Sequence, residues 1–222
     1  VQKKSPDGNA PLNGLSGFVT ADRADSIIKP DTFTLSGPMG DFLQELQPYR
    51  LAITISGNRG SGKTTFVTQM IDAFLDTGRK VGFFSLEQGG LESKDTLKLV
   101  EMYVKAKNRR NLAITGEVEN GLSSIKEYAD HFDVVVVDSW QKLERYGSNV
   151  RFDELRLEYP DTIFIIIFQQ NAQGTIRGGA AAEFDAPVVL KSHNPGKGFK
   201  ENYISIEKNR GNSADLIYKI AD

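Results

Sequence analysis

The chain alternates between short apolar runs and longer segments in which apolar residues recur every three or four positions. The apolar runs predict buried strands at 50–57, 80–87, 111–116, 133–140 and 162–170. The periodic segments between them predict helices at 63–77, 93–107, 123–132 and 150–159. Because strands that are apolar on both faces and separated by helices form parallel sheets, the pattern predicts an α/β fold with a mostly parallel central sheet flanked by helices.

The two ends of the chain follow other patterns. Residues 1–48 carry frequent Gly, Pro and Asn, which predicts an extended arm or linker with one short helix over 40–48. The folded domain is therefore expected at 49–222. Near the other end, PVVLKS, YISIEKN and DLIYKI predict consecutive strands, and the short connection between the last two predicts an antiparallel hairpin.

Composition excludes several classes of protein. Hydrophobic residues make up 39% and charged residues 25% of the 222, which is enough for one core. The net charge of −2 supplies no global basic field, so any polyanion site must be local. The absence of cysteine excludes disulfides, Cys-ligated zinc and thiol catalysis. No apolar run reaches the roughly 18 residues of a membrane helix, and the first residues do not form a signal peptide. A cytoplasmic protein without a membrane contact is expected.

One motif carries specific chemistry. The segment from Gly57 to Thr64 fits G-x-x-x-x-G-K-[ST] at every fixed position and lies between a predicted strand and a predicted amphipathic helix. In such a loop backbone N–H groups surround phosphate oxygens, Lys63 reaches the outer phosphates and Thr64 places its hydroxyl on Mg²⁺. The context argues against a chance match in a glycine-rich turn and predicts ATP and Mg²⁺ as ligands. The expected nucleotide-binding residues are Gly57, Asn58, Arg59, Gly60, Ser61, Gly62, Lys63, Thr64 and Thr65.

Three further residues end predicted parallel strands, where the ligand crevice of an α/β sheet opens. Asp138 follows four valines and is the candidate second Mg²⁺ ligand. Since Ser139 follows it, the water-activating base must lie elsewhere, and Glu87 at the end of FFSLE is the candidate. Gln169 is the candidate γ-phosphate sensor, and the sequence leaves Gln170 open as an alternative. A locally satisfied strand end is the simpler reading of each.

These residues together resemble the RecA-like ATPases, and within them the RadA and DnaB-helicase branches. The resemblance covers most of residues 50–222 and rests on SGNRGSGKTT, FFSLE, VVVVDSWQKL, QGTIRGGAAAEFDAPVVL and ISIEKNRGNS. It implies a RecA-like P-loop core and a Glu87 that acts as the base. The zinc and protease-like modules of RadA and the helical N-terminal domain of DnaB are either missing from the protein or trimmed from this sequence.

The resemblance also implies a site shared between subunits. In the family, a basic pair on the late strand reaches the γ-phosphate bound by a neighbour, and here the pair is Lys208 and Arg210. Such cations raise phosphoryl-transfer rates by about 10³–10⁵. The working form would be a homo-oligomeric ring or filament, with a hexamer expected. Two exposed charges on a hairpin would be the plain alternative.

In RecA-like rings the loops after the Asp138-type and Gln169-type strands contact single-stranded DNA. The corresponding stretches, 141–152 and 171–182, contain Lys142, Arg145, Arg151 and Arg177, a density of positive charge that is also ordinary for a protein surface. The denser cluster KAKNRR (105–110) follows a helix and is expected to neutralise the carboxyl end of that helix.

The leading hypothesis is a Mg-ATP-dependent ATPase that acts on single-stranded DNA in recombination, repair or replication. The alternative is an ATP-controlled assembly or regulatory protein of the KaiC-like type without a DNA role. A small-molecule kinase is a third possibility, but it would have no use for the basic pair on a late strand.

Overall fold

The computed structural model describes residues 19–26, 29–146, 152–170 and 185–221. The chain divides into two compact units, Val1–Asp31 and Thr32–Asp222. In the first unit a 3₁₀ helix spans Ala21–Ser26, where the Arg23 N–H donates to the Thr20 carbonyl at 3.1 Å. All of the remaining described elements belong to the second unit.

The second unit alternates strands and helices in the predicted order. The strands are β1 (Phe33–Thr34), β2 (Glu45–Leu46), β3 (Ala52–Gly57), β4 (Val81–Ser85), β5 (Leu112–Thr115), β6 (Val134–Asp138), β7 (Ile163–Gln169), β8 (Val188–His193), β9 (Tyr203–Asn209) and β10 (Ile217–Lys219). The helices are α1 (Gly37–Leu43), α2 (Lys63–Asp76), α3 (Lys94–Tyr103), α4 (Leu122–Ala129) and α5 (Phe152–Glu158). Short 3₁₀ helices span Arg109–Asn111, Trp140–Tyr146 and Phe199–Glu201.

The central sheet has the strand order β10-β9-β8-β3-β7-β6-β4-β5. The strands from β8 to β5 pair in parallel, whereas β9 is antiparallel to both β8 and β10. The predicted fold class, with its parallel core and antiparallel end, is confirmed. Strand β3 lies between β7 and β8, so the loop that follows it opens at the centre of the carboxyl edge.

The apolar strands are buried on both faces because helices cover both sides of the sheet. In β7, Ile163, Ile165 and Ile167 join the core beneath α1, α2 and α3, while Phe164, Ile166 and Phe168 join the core beneath α4 and α5. Burial of each such side chain contributes about 1.5–3 kcal/mol relative to exposure. This two-sided burial explains why these strands appear in the sequence as continuous apolar runs.

Helix α3 is shorter than predicted and ends at Tyr103. The spacing of Leu97, Val100 and Val104 predicts one apolar side, and of these Val100 and Val104 are buried whereas Leu97 is 43% exposed. The helix stops because the next residues bind α2: the Lys105 N–H donates to Asp72 Oδ1 at 2.9 Å, and Asn108 Nδ2 donates to the same oxygen at 2.8 Å. The side chain of Arg109 donates to two carbonyls at the end of α3, so the KAKNRR cluster includes a helix cap as expected.

The segment before β3 is also more regular than its composition indicated. Helix α1 begins at Gly37 with Pro38 in its first turn, and β2 pairs with β1 immediately after the helix ends. Side-chain amides from the far end of the chain hold this segment: Asn209 Nδ2 donates to the Leu43 carbonyl at 3.1 Å, and Asn212 Nδ2 donates to the Glu45 carbonyl at 2.6 Å.

Candidate functional site

The glycine-rich loop joins β3 to α2 and is closed around Lys63. The Lys63 ammonium donates to the carbonyls of Gly57 and Asn58, each at 2.8 Å, which places its charge inside the loop. Helix α2 begins directly after Gly62, whose φ of 89° disfavours residues with a side chain. Free N–H groups at the start of a helix and a buried ammonium together form a site for phosphate.

Two residues from the antiparallel end of the sheet hold the loop in place. Ser192 Oγ donates to the Ser61 carbonyl at 2.7 Å, and Asn202 Nδ2 donates to the Gly60 carbonyl at 3.2 Å. A Cβ at Gly57 would lie 2.6 Å from the Ser192 carbonyl oxygen, so this approach requires glycine. The sequence did not indicate Ser192 or Asn202 as site residues, because their partners are backbone carbonyls 131 and 142 positions away.

Asp138 and Thr64 meet beside the loop. Thr64 Oγ1 donates to Asp138 Oδ2 at 2.7 Å, although the two residues are 74 positions apart. Burial raises the pKa of the Asp138 carboxyl to about 6; the negative charge of Glu87 adds to the rise, and the Thr64 hydrogen bond opposes it. The peptide bond between Asp138 and Ser139 is cis.

This pair fits a magnesium ion. Within the ranges that the structure describes, no group donates to Asp138 Oδ1, which is buried and therefore has a lone pair directed away from solvent. No cluster of three or more Asp, Glu, His or Cys occurs among the described residues. Mg²⁺ held by one carboxylate and one hydroxyl usually completes its octahedron with phosphate oxygens and water, so the donor set matches a nucleotide-bound ion.

Glu87 and Gln169 form a second pair across the same edge. Gln169 Nε2 donates to Glu87 Oε2 at 2.6 Å, and the Glu87 N–H donates to the Asp138 carbonyl at 2.9 Å. Glu87 is exposed, whereas Gln169 is half-buried. The neighbouring Gln170 turns to β3, where its Nε2 donates to Ser56 Oγ at 3.2 Å. The geometry therefore favours Gln169 over Gln170 as the partner of the candidate base.

Gln141 connects this pair to the segment that follows β6. Its Oε1 accepts a hydrogen bond from the Gln169 N–H at 3.0 Å. The residue lies in the stretch VVVVDSWQKL, but its side chain carried no assigned role in the sequence interpretation. The contact places one residue of the first expected DNA-facing loop against the end of β7.

Burial lowers the pKa of the Lys63 ammonium, while the nearby carboxylates of Asp138 and Glu87 oppose the shift. The site thus places one cation between two acids, so negative phosphate oxygens and a metal cation complete its charge balance.

Lys208 lies on β9 and Arg210 directly follows that strand, at the antiparallel end of the sheet. Lys208 pairs with Val189, which aligns with Thr54, and the Arg210 N–H donates to the Pro187 carbonyl at 3.2 Å. Thr54 precedes Gly57 by three residues, or about 10 Å along the strand, and β8 separates β9 from β3. Partial burial lowers the pKa of Lys208, and the positive charge of Arg210 adds to that shift. The backbone of Lys208 therefore lies about 10 Å further from the carboxyl edge than Gly57, on the second strand from β3.

The remaining predicted residues are distributed as follows. Arg59 is exposed on the phosphate loop, and Thr65 is half-buried in the first turn of α2. Lys142 is half-buried within the 3₁₀ helix after β6, close enough for its charge to lower the pKa of Asp138 against the net rise. The Arg145 side chain, Arg151 and Arg177 lie outside the described residues. No helix in the described ranges is long and apolar enough to cross a membrane.

Comparison with known proteins gives matches among solved structures only. No family model and no curated protein matches the sequence. The crystal structure of the flagellar accessory protein FlaH from Methanocaldococcus jannaschii superposes with a TM-score of 0.65 at 16% identity, over 86% of this chain and 95% of FlaH. A KaiC-like protein from Pyrococcus horikoshii OT3 gives a TM-score of 0.57 at 21% identity, over 77% and 85% of the two chains.

A third similar structure is the ATPase domain of G40P, with a TM-score of 0.56 at 15% identity over 76% of this chain and 79% of that domain. At these identities the similarity concerns the arrangement of the backbone. Each of the three superpositions covers most of this chain. Together with the strand order and the loop after β3, the comparisons show that this chain has the fold of the RecA-like P-loop ATPases.

Proposed function

We propose that this protein is a Mg-ATP-dependent hydrolase of the RecA-like type whose active site is completed by a second copy of the chain. The observation that carries the proposal is the meeting, at one edge of the sheet, of the phosphate loop with two bonded pairs. Thr64 with Asp138 provides ligands for a metal, and Glu87 with Gln169 provides a base and a group that can respond to the terminal phosphate.

Each residue has a distinct role in the proposed reaction. Lys63 and the N–H groups at the start of α2 bind the phosphates. Thr64 and Asp138 hold Mg²⁺, which when bound neutralises phosphate charge and orients the terminal group. Glu87 accepts a proton from the attacking water, since its carboxylate is exposed and lies across the crevice from the loop. Gln169 positions that carboxylate through its amide.

The basic pair supports a shared site. Lys208 aligns through Val189 with Thr54, three residues before Gly57, and lies on a strand that β8 separates from β3. We therefore assign the pair to the nucleotide bound by a neighbouring chain. Side-by-side assembly of identical chains would bring the pair of one subunit to the nucleotide of the next. A ring or filament satisfies this arrangement, and a hexamer is the expected ring.

Single-stranded DNA is the proposed effector. The support is the contact of Gln141 with the Gln169 N–H, because it joins the segment after β6 to the strand that ends beside Glu87. A polymer bound to that segment would shift the end of β7 and thereby the base. Lys142, Arg145, Arg151 and Arg177 are the proposed phosphate contacts, repeated around the assembly.

Steady-state ATP hydrolysis with Mg²⁺, measured with and without single-stranded DNA, tests the proposal. Lys63→Ala is the blank, and Lys80→Ala, an exposed lysine at the start of β4, is its matched control. We expect turnover that DNA increases, none in Lys63→Ala, and wild-type turnover in Lys80→Ala. Equal turnover in Lys63→Ala and wild type would contradict the hydrolase. Arg177→Ala should keep nucleotide binding and lose the stimulation.

An ATP-controlled assembly protein is the second candidate, and the similarity to a KaiC-like structure supports it. This candidate predicts turnover that DNA does not change, together with an oligomer size that differs between ATP and ADP. Light scattering with each nucleotide, with and without DNA, separates the two candidates.

A further inference from the structure

An aromatic side chain lies exposed beside the phosphate loop. Phe199 is 45% exposed, and its Cε2 lies 3.3 Å from the position that a Cβ on Gly62 would occupy. A single exposed phenylalanine is common on protein surfaces. Phe199 differs because its ring edge lies beside Gly62, which immediately precedes Lys63 and the start of α2. The ring is thus next to the phosphate loop and partly open to solvent.

Hydrogen bonds fix the backbone around Phe199 to the phosphate loop. Phe199 begins the 3₁₀ turn Phe199–Glu201, and the Asn202 N–H donates to its carbonyl at 3.0 Å. Asn202 is 1% exposed, and its amide donates to the Gly60 carbonyl. The Ile220 N–H donates to the Asn202 carbonyl at 3.2 Å. The ring is thus presented by a turn that is bonded to both the phosphate loop and the end of the last strand.

The strand order fixes which way a nucleotide would run. Asp138 and Gln169 end β6 and β7, and Glu87 follows β4, all on one side of β3. In the proposed function the terminal phosphate lies on that side. Phe199 lies between β8 and β9 in the chain, on the other side of β3. A nucleotide with its terminal phosphate beside Glu87 and Asp138 would extend its nucleoside end towards the side of Phe199.

We infer that Phe199 is the stacking platform for the base of the bound nucleotide. The inference deepens the proposed function and rests on it, since it assigns the base subsite of the same ligand. Stacking of a base on an aromatic ring contributes about 1–3 kcal/mol and favours larger rings, so purine nucleotides should bind more tightly than pyrimidine nucleotides. The phosphate loop alone, which binds only the phosphates, would not distinguish them.

The test compares a nucleotide with a ligand that has phosphates and no base. Equilibrium binding of Mg-ATP, Mg-CTP and Mg-tripolyphosphate is measured for wild type, Phe199→Ala, Phe199→Tyr and the control Met102→Ala, which removes an exposed apolar side chain from α3. We expect Phe199→Ala to weaken ATP binding about 5- to 100-fold, to remove most of the preference for ATP over CTP, and to leave tripolyphosphate unchanged. Phe199→Tyr and Met102→Ala should behave as wild type.

Three results would overturn the inference. Unchanged ATP affinity in Phe199→Ala would show that the ring does not contact the base. An equal loss for ATP and tripolyphosphate would show that the ring only supports the loop. A wild-type protein that binds neither ligand would remove the proposed function itself, whereas tripolyphosphate binding without the Phe199 effect would remove the inference alone. A Phe199→Trp variant gives a second readout, because fluorescence that ATP quenches and tripolyphosphate does not is expected only from stacking.

Discussion

Charged side chains have different surroundings at the carboxyl edge of the parallel strands and at the antiparallel end of the central sheet. At the carboxyl edge, Thr64 bonds Asp138, Gln169 bonds Glu87 and the Lys63 ammonium bonds two loop carbonyls. At the antiparallel end of the sheet, Lys208 on β9 and Arg210 directly after it place two positive charges close together. In the proposed function the carboxyl edge would supply the phosphate loop, the metal ligands and a base, and the antiparallel end would supply cations to the nucleotide of a second copy. The comparison shows how far apart these two groups of residues lie within one chain.

Removal of the Arg210 side chain is expected to have the largest effect on ATP hydrolysis. Arg210→Ala should bind ATP normally and hydrolyse it about 10³–10⁵ times more slowly, the range for loss of an arginine that acts on a transferred phosphate. Mixing Arg210→Ala with Lys63→Ala subunits should restore part of the activity, because some interfaces then combine an intact loop with an intact arginine. Hydrolysis by each variant and by the mixture is the measurement.

Two controls sharpen that experiment. Arg110→Ala removes an exposed arginine from the 3₁₀ helix before β5 and should leave turnover unchanged. Size-exclusion chromatography of differently tagged subunits verifies that they assemble together. A co-assembled mixture without any recovery would contradict a site shared between chains.

Substitution of the candidate base Glu87 at the carboxyl edge is expected to have a smaller effect on turnover. Glu87→Gln keeps the size and polarity of the side chain and removes its capacity to accept a proton, so turnover should fall about 10²–10⁴-fold while ATP binding is retained. Single-turnover hydrolysis and equilibrium binding measure the two properties separately. Glu101→Gln, on the exposed face of α3, is the matched control. Full activity in Glu87→Gln would assign the base elsewhere.

The smallest effect concerns stability without ligand. The folded-state pKa of Asp138 is raised from 3.8 to about 6, so ionisation of this buried group destabilises the fold as the pH rises through that interval, by at most about 2–3 kcal/mol. Asp138→Asn keeps an acceptor for the Thr64 hydroxyl and has no charge to bury. In EDTA at pH 7 to 8 it should therefore melt at a higher temperature than wild type.

The pH dependence of the melting temperature is the control for the prediction about Asp138→Asn. The difference in melting temperature between Asp138→Asn and wild type should shrink as the pH falls through about 6, because the wild-type carboxyl then becomes neutral as well. Asp161→Asn, at an exposed position before β7, should show no such pattern. Added Mg-ATP should stabilise wild type and not Asp138→Asn. A variant that melts below wild type at pH 8 in EDTA would contradict the proposed cost of the buried charge.

The sequence predicted the parts of the fold whose cause is local. Continuous apolar runs identified β3, β4, β6 and β7, because burial on both faces leaves no polar alternation, and the spacing of Gly57, Gly62 and Lys63 identified the loop. The residues that brace the loop were not predictable. Ser192 and Asn202 act through backbone carbonyls, which have no sequence signature, and their positions depend on the pairing of β8 with β3 and β9.

Two other errors have the same origin. Leu97 shares the spacing of the buried Val100 and Val104 but is exposed, and the helix ends early, where Lys105 and Asn108 bond to α2. The short helix predicted over 40–48 lies earlier, at Gly37–Leu43, and buries Phe42 and Leu43 in the core. The side-chain amides of Asn209 and Asn212 donate to the Leu43 and Glu45 carbonyls, and Gln44 donates to the Ser213 carbonyl. In both cases the deciding partner is distant in the chain.

The amides that join the first and last parts of the second unit also form a mechanical linkage. Asn209 lies between Lys208 and Arg210, and its buried side chain is fastened to the end of α1, while Gln44 and Ser213 exchange hydrogen bonds at 2.9 and 3.3 Å. A protein cut at residue 48 would lose the acceptors of Asn209 and Asn212. The buried amide between Lys208 and Arg210 would then have no partner from α1, so removal of residues 37–46 should loosen the strand that carries Lys208.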